Sequence, residues 1–490
     1  GILSRPTSRD GAMSDDAPNA TAEQVFGRYR AIVPDWDAFL DSLARPLAPT
    51  VWPHPTRIDR DGLRRLLAEA GVGSTPLSWH PSALRLPEGF GAGGHWGYFA
   101  GLYQSQEAVA TVPVMLLDPL PGERVLDMCA APGNKTAQIA LAMGNRGTVH
   151  ANEVQRGRLS PLQGTIRRLG LLNVSITLRP GEDLALSNGP FDRVLVDAPC
   201  SGEGIWRKVV GERAMKHFQV ADAAMRERLA ARQRRLLARA VRLARVGGRI
   251  VYSTCTVAPE ENEAVVDAVL RAFPGQLAVR PARLSGFDCA PGITEWAGAG
   301  FDPSLAGAAR VWPHQNDTGG FFAAVLEKVD GPEPDGALVH PAGADDAVLD
   351  ELGATYGLDE DAFAGVTTHR GGGRYLSAVS ADHRLPPGLA TQTTGLPVLG
   401  TQARPPKPTT AFALAWAPAA QANTLDVDDA GLADYIARRP LYLDRAEVPE
   451  APYVLVRHRG HGIGVAHVRG RQADGRVAFA SLHPKAWAGR

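Results

Sequence analysis

The chain is poor in the features that would staple it together or tie it to a membrane. Its 490 residues carry four cysteines, Cys129, Cys200, Cys255 and Cys289, with no C-x-x-C pair among them. Neither a disulfide framework nor a zinc site is indicated, and a reducing, cytoplasmic compartment with no bound metal is expected. No apolar run approaches the roughly 20 residues of a membrane helix, and no signal-peptide run stands near the start. Excess charge is missing too, with 52 Lys plus Arg against 52 Asp plus Glu. No global field therefore draws nucleic acid, and any such affinity must be local. No internal repeat is evident.

What is present is an alternation. Residues 1–20, which include "GILSRPTSRDGA" ahead of Met13, are set aside as a disordered or vector-derived leader. From there to about residue 110, "AEQVFGRYRAIV", "DWDAFLDSLA" and "DGLRRLLAEAG" repeat apolar residues at helical steps, predicting a small N-terminal α/β unit. Over 111–330, the strands "RVLDMCA", "GTVHANE", "VSITL", "DRVLVDAP" and "RIVYSTC" alternate with helical segments. That pattern predicts a mostly parallel, doubly wound sheet with ligands at the carboxyl ends of its strands, where Cys129, Cys200 and Cys255 all fall. Residues 331–405 read as linker and intermediate domain. "YVLVRHRG", "GIGVAHVRG" and "RVAFASLHP" predict a mostly-β domain over 406–490.

"VLDMCAAPGNKTAQIA" is a strand, a small-residue turn and a helix start, which brings backbone N–H groups close to a ligand. It has neither the G-x-G-x-x-G of dinucleotide folds nor the phosphate loop's G-x-x-x-x-G-K-[ST], which disfavours a nicotinamide enzyme or an NTPase. One strand later stands Glu153, where doubly wound folds place an acid against ribose hydroxyls.

Together "YQSQEAVATVP", "LDMCAAPGNKT", "VDAPCSGEGIWRK", "GGRIVYSTCTVAPEENE" and "WPHQNDTGGFF", in order over roughly residues 95–328, resemble the motif series of the NOP/Sun family of RNA cytosine-C5 methyltransferases. "YVLVRHRGHGIGVAHVRG" and "SLHPK" are similar to the PUA-like tail of bacterial members that modify small-subunit ribosomal RNA. The resemblance implies a Rossmann-like class I methyltransferase domain, RNA-recognising terminal domains and S-adenosylmethionine as cofactor. Cys129, Ala130, Ala131, Pro132, Gly133, Asn134 and Lys135 would wrap the cofactor, Glu153 would hold its ribose, and Asp197 would border it. The family's acid after the third strand is replaced here by Pro180, with Glu182 or Asp183 as substitutes.

Cytosine C5 is a poor nucleophile, so methylating it requires addition of a thiolate to C6. Cys200 in "DAPCSG" and Cys255 in "STCT" both qualify as residues, the former matching the Pro-Cys pattern of DNA cytosine methyltransferases. The family resemblance selects Cys255 as nucleophile. It assigns Cys200 to removal of the C5 proton, while Asp197, if protonated, is placed to donate to cytosine N3. Lys135 would line the same pocket.

Residues 206–249 hold thirteen lysines and arginines against three acids. Leu229, Leu236, Ala240 and Leu243 recur at helical spacing, which makes Arg226 to Arg245 an amphipathic helix with solvated arginines. Arg207 and Lys208 are the expected RNA contacts, with Trp206 either stacking on a base or packing in the core. The expected partner is ribosomal RNA, or alternatively transfer RNA, with no DNA and no membrane, and the protein is expected to act as a monomer. A ribosome-assembly factor without catalysis is the rival reading.

Overall fold

The computed structural model describes residues 21–209, 221–341, 346–371, 373–402, 404–444, 447–485 and 487. The leader 1–20 and the stretch 210–220 of the basic segment lie outside the described residues. The centre is an α/β sandwich built on strands β1 (Arg124–Asp127), β2 (Thr148–Glu153), β3 (Val174–Leu178), β4 (Phe191–Asp197), β5 (Ala244–Thr254) and β6 (Phe321–Lys328), in spatial order β3-β2-β1-β4-β5-β6. The first five are parallel, and β6 returns antiparallel with Phe322 opposite Thr254. Helices α1 (Asn134–Ala142), α2 (Leu159–Leu169), α3 (Ala223–Leu243) and α4 (Glu263–Ala272) cover it.

These strands are apolar on both faces because both faces are covered. Val125, Leu195 and Val251 enter one core, whereas Leu126, Val194, Val196, Ile250 and Tyr252 enter the other, as the two-residue alternation of a strand requires. The chain runs outward from β1 through β3, then restarts beside β1 and runs the other way, so the loops after β1 and β4 diverge. The crevice between them is where such sheets bind ligands.

The stretch read as one N-terminal unit divides in two. Phe26, Tyr29, Phe39 and Leu43, from its first helices, share a core with Trp206, Val257 and Trp312 of the central domain. Residues 50–105 form a separate four-stranded sheet, whose Val51, Leu63, Leu67 and Tyr103 pack with Leu425, Tyr435 and Phe479 near the C-terminus. An amphipathic stripe says that a helix is covered, not by what. Residues 331–405 are more than a linker, since Val366–His369, Tyr375–Ser380 and Leu396–Gly400 pair in a sheet of their own. The three C-terminal alternating segments are neighbouring antiparallel strands of a five-stranded sheet. Among the described residues no helix is long and apolar enough to cross a membrane.

Candidate active site

Four strands deliver one polar group each to the same rim. Asp127 ends β1, Glu153 ends β2, Asp197 ends β4, and Cys255 follows β5 directly. The register pairs Asp197 with Ser253, so these two strand ends stay level. After β1 the chain turns through Gly133 at φ +107°, where an added Cβ would stand 2.9 Å from Leu162 of α2. The left-handed angle and the close approach of α2 both call for glycine.

Glu153 is 2% exposed on its side chain and acts as a clasp. Its Oε2 accepts from Ala131 N at 3.3 Å, and its Oε1 accepts from Val154 N and Gln155 N at 3.0 and 2.8 Å. Arg158 holds the turn from outside, donating to Ala131 O at 2.6 Å. Between Pro180 and Asp183, Glu182 is the acid that turns inward. Its Oε1 pairs with Arg232 at 3.3 Å, while its buried Oε2 has no hydrogen-bond partner among the described residues. Pro180 and Asp183 are exposed.

The two thiols lie together, Cys200 Sγ 3.4 Å from Cys255 Sγ. Either sulfur can donate in this contact; with Cys200 as the donor the bond, more than any other contact, lowers the Cys255 pKa below the ordinary thiol range. Burial and Asp197 act against it, and Lys135 and Lys208 reinforce it. The same bond is the largest cause of a Cys200 pKa well above that range, with burial next. The pair thus favours proton loss at Cys255 over Cys200. Cys129, by contrast, has its thiol pushed up by burial and by the nearby Asp127 and Asp197 carboxylates.

Lys135 Nζ donates to Asp197 Oδ2 at 2.7 Å, and Ser253 Oγ donates to Asp197 Oδ1 at 2.8 Å. Burial opposes the Lys135 charge, but the Asp197 ion pair outweighs it and the lysine pKa is raised. The sequence asked for a protonated Asp197. Here both its oxygens accept from donors, which is how an ionised carboxylate is held, so donation to a ring nitrogen requires Lys135 to pass a proton or to move. Beside it Asp127 is fully buried with its pKa raised by burial to about 6, although Thr136 donates to it at 2.7 Å.

Backbone and side-chain bonds stitch the two cysteine loops together. Gly204 N donates to Cys255 O and Gly320 N to Gly204 O, both at 2.9 Å. Ser201 pairs with Thr256 at 2.8 Å, and Thr254 donates to Asn262 at 2.6 Å. Buried Glu203, its pKa raised to about 7 by desolvation, accepts from Tyr29 at 2.8 Å and from Thr256 at 3.2 Å.

Of the expected residues, Cys255, Cys200, Asp197 and Lys135 converge, while Glu153 clasps the turn of residues 129–134 through Ala131 N, and Glu182 follows Gly181, which packs against Met128. Arg207 is a correction. It is 2% exposed, and its donors go to Arg45 O, Pro46 O, Thr318 O and Asp317 Oδ1, so it ties loops together instead of facing RNA. Trp206 is buried edge-on against Phe26 at 5.7 Å, which is the core alternative. Lys208 is the exposed one, bordering a cavity of about 620 Å³. On α3, Arg228, Arg235 and Arg242 are exposed, as an amphipathic helix with solvated arginines requires, whereas Arg232 pairs with Glu182 and Arg239 donates to Glu182 O. Sequence reasoning passed over Ser253, Arg158 and Glu203, although Ser253 stands two residues before Cys255 in the quoted "STCT".

A class I methyltransferase fold with a paired-thiol site on its rim is the class these observations define. Residues 114–327 match the family model described as 16S rRNA methyltransferase RsmB/F. The chain is 34% identical over 313 residues to the tRNA (cytosine(49)-C(5))-methyltransferase of Pyrococcus abyssi, covering 62% of this chain and 96% of that one. It is 36% identical over 299 residues to a mouse 28S rRNA (cytosine-C(5))-methyltransferase, a stretch that is 59% of this chain and 36% of the mouse protein. A solved methyltransferase homologue from Pyrococcus horikoshii superposes with a TM-score of 0.52 at 30% identity, over 59% of this chain and 90% of that one. The chain belongs to the RsmB/F family.

The groups at these strand ends fit S-adenosylmethionine, the cofactor that the fold implies. The orphaned Glu182 Oε2 is a buried acceptor waiting for a donor. Glu153 adds acceptor oxygens at the end of β2, where it already holds the turn through Ala131 N.

Proposed function

We propose that the chain transfers a methyl group from S-adenosylmethionine to C5 of a cytosine in structured RNA, through a covalent bond between Cys255 and C6. The observation that carries this reading is the thiol pair, in which a hydrogen bond from Cys200 favours the thiolate of Cys255. Small-subunit ribosomal RNA is the substrate that the family description favours, and the archaeal relative named for tRNA makes transfer RNA the second.

S-adenosylmethionine would supply an electrophilic methyl group. The chain's residues do the rest. The Cys255 thiolate adds to C6, and Asp197, supplied with a proton by Lys135, donates it to ring N3, which neutralises the negative charge developing on the ring and leaves Lys135 as the free amine until that proton returns. Once Cys255 is a thioether, the anion that held the Cys200 proton is gone, and with it the main cause of the raised Cys200 pKa. Cys200 can then lose its proton to solvent and take the one on C5, after which Cys255 leaves as thiolate, the N3 proton returns to the Asp197–Lys135 pair and the ring regains its double bond.

The test is incubation with labelled cofactor and RNA or DNA. Cys255→Ala should leave RNA unlabelled, and Cys200→Ser should accumulate a protein–RNA adduct stable on a denaturing gel. Wild-type labelling of RNA by Cys255→Ala, or label entering DNA alone, sinks the reading. Bisulfite mapping of RNA from a deletion strain would then identify the cytosine.

A further inference from the structure

Two cavities lie away from the thiols. One, of about 540 Å³, lies between α2, residues 98–99 and the C-terminal half, and the other, of about 290 Å³, lies between the sheet of residues 366–408 and the C-terminal sheet. They share Tyr375, Thr409 and Thr410 in their walls, so the two adjoin there, as two reaches of one candidate groove. Pro132 and Asn134 of the cofactor turn line the larger cavity, which carries the groove to the active-site side of the molecule.

The groove's charge is one-sided although the chain's is balanced. Arg167 and Arg168 line one cavity and Arg374 and Lys407 the other, while no carboxylate lines either among the described residues. Behind the wall the cations are also uncompensated. Arg168 is buried with its donors spent on Tyr98 O, Tyr103 O and Gln104, and Arg57 donates only to the carbonyls of Ala100, Gly101 and Arg168. Neither has a carboxylate within ion-pair distance among the described residues. Arg168 in the wall and Arg57 bonded behind it are thus fixed positive charge, added to that of Arg167, Arg374 and Lys407.

Aromatic surface is interleaved with this charge. Tyr375 is 37% exposed, with the Arg167 guanidinium 6.0 Å from its ring centroid. Trp487 stacks on Phe99 with an interplanar angle of 23° and remains partly exposed in the same groove. A cationic trough with aromatic faces is what an unpaired nucleic-acid strand needs, since phosphates find counter-charge and bases find platforms regardless of sequence.

We propose that this groove seats a single-stranded stretch of the substrate RNA beside the target nucleotide and leads it toward the cofactor turn. The inference rests on the RNA reading of the active site. Its test is separable from that reading, because binding can be measured without catalysis.

Anisotropy of a labelled single-stranded oligoribonucleotide, measured across a salt series, compares wild type with Arg374→Glu/Lys407→Glu and with Tyr375→Ala. The charge-reversed pair should weaken binding at least tenfold and flatten the salt dependence by about one unit of log–log slope per lost cation. Tyr375→Ala should weaken binding about tenfold with the slope unchanged, and Tyr375→Phe should restore it. Where methylation is measurable, the RNA KM should rise with kcat unchanged, and the calorimetric affinity for S-adenosylmethionine should stay at its wild-type value. Photocrosslinking of a 4-thiouridine oligonucleotide should mark peptides containing Tyr375 or Trp487, which keeps the test decisive if a variant folds poorly. Equal binding by wild type and all folded variants, or crosslinks confined to other surfaces, overturns the groove. A wild type that methylates no RNA but loses oligonucleotide binding in these variants overturns the catalytic reading and leaves the groove standing.

Discussion

The chemistry at residue scale depends on which of two adjacent sulfurs carries the proton. A thiolate is the reactive form, and a free cysteine with a pKa of about 8.5 is mostly protonated at neutral pH. Because the Cys200 hydrogen bond lowers the Cys255 pKa, alkylation of Cys255 by iodoacetamide should reach half its limiting rate at a pH below that of an ordinary thiol. In Cys200→Ala the largest lowering cause is gone, while burial and Asp197 still raise it, so the midpoint should move to higher pH. Peptide mass spectrometry of the Cys255 fragment reads this directly, and an unmoved or acid-shifted midpoint would break the assignment of roles. The second residue-scale prediction concerns Asp197→Asn. It preserves size and an acceptor for Ser253 but removes the charge that pairs with Lys135, and should cut methyl transfer about 10²–10⁴-fold with cofactor binding retained.

At the scale of elements, the site is a consequence of where loops are allowed to touch. The Cys200 and Cys255 loops meet because Gly204 is sandwiched between them and the start of β6. An added Cβ would stand 2.0 Å from Gly320 O and 2.8 Å from Cys255 O, both backbone atoms. Gly204→Ala should therefore destabilise the fold by about 1–3 kcal/mol through forced backbone shifts and depress activity more than that loss explains, as thermal melting alongside single-turnover rates would reveal. The strand-end motifs were legible in the sequence because each candidate residue is fixed by the strand it follows: "VDAPCSG" and "STCT" place Asp197 and Cys200 after one strand and Cys255 after the next, at carboxyl ends once the sheet is parallel. Arg207 was misread for the opposite reason. A basic residue next to a motif is exposed on average, and nothing local announces that four oxygens from the segments around Arg45 and Asp317 close over it. Glu203 was overlooked for a similar reason, because its partner Tyr29 lies 174 positions away.

At the scale of the whole molecule, the N-terminal and C-terminal parts are not separate appendages. Val51, Leu63, Leu67, Leu84 and Tyr103 share one core with Leu425, Tyr435, Val456 and Phe479, and Trp96 packs edge-on against His458 at 4.8 Å. Alternating patterns announced both sheets but not their union, since a pattern shows which face is apolar and carries no address for its cover. The shared core makes a cooperative claim. Phe479→Ala removes a fully buried ring from the C-terminal sheet and should cost about 3–5 kcal/mol. Because the cavity opens under the N-terminal sheet as well, amide exchange should accelerate in residues 50–53 and 103–105, more than 370 positions earlier in the chain, while β1 to β5 of the central sheet keep their protection. Hydrogen-exchange mass spectrometry distinguishes the outcomes. Faster exchange confined to the C-terminal sheet would mean that the two sheets merely touch. Coupled exchange would mean that the groove's walls are held by one core spanning both ends of the chain, which is how a binding surface far from the thiols can keep its register with them.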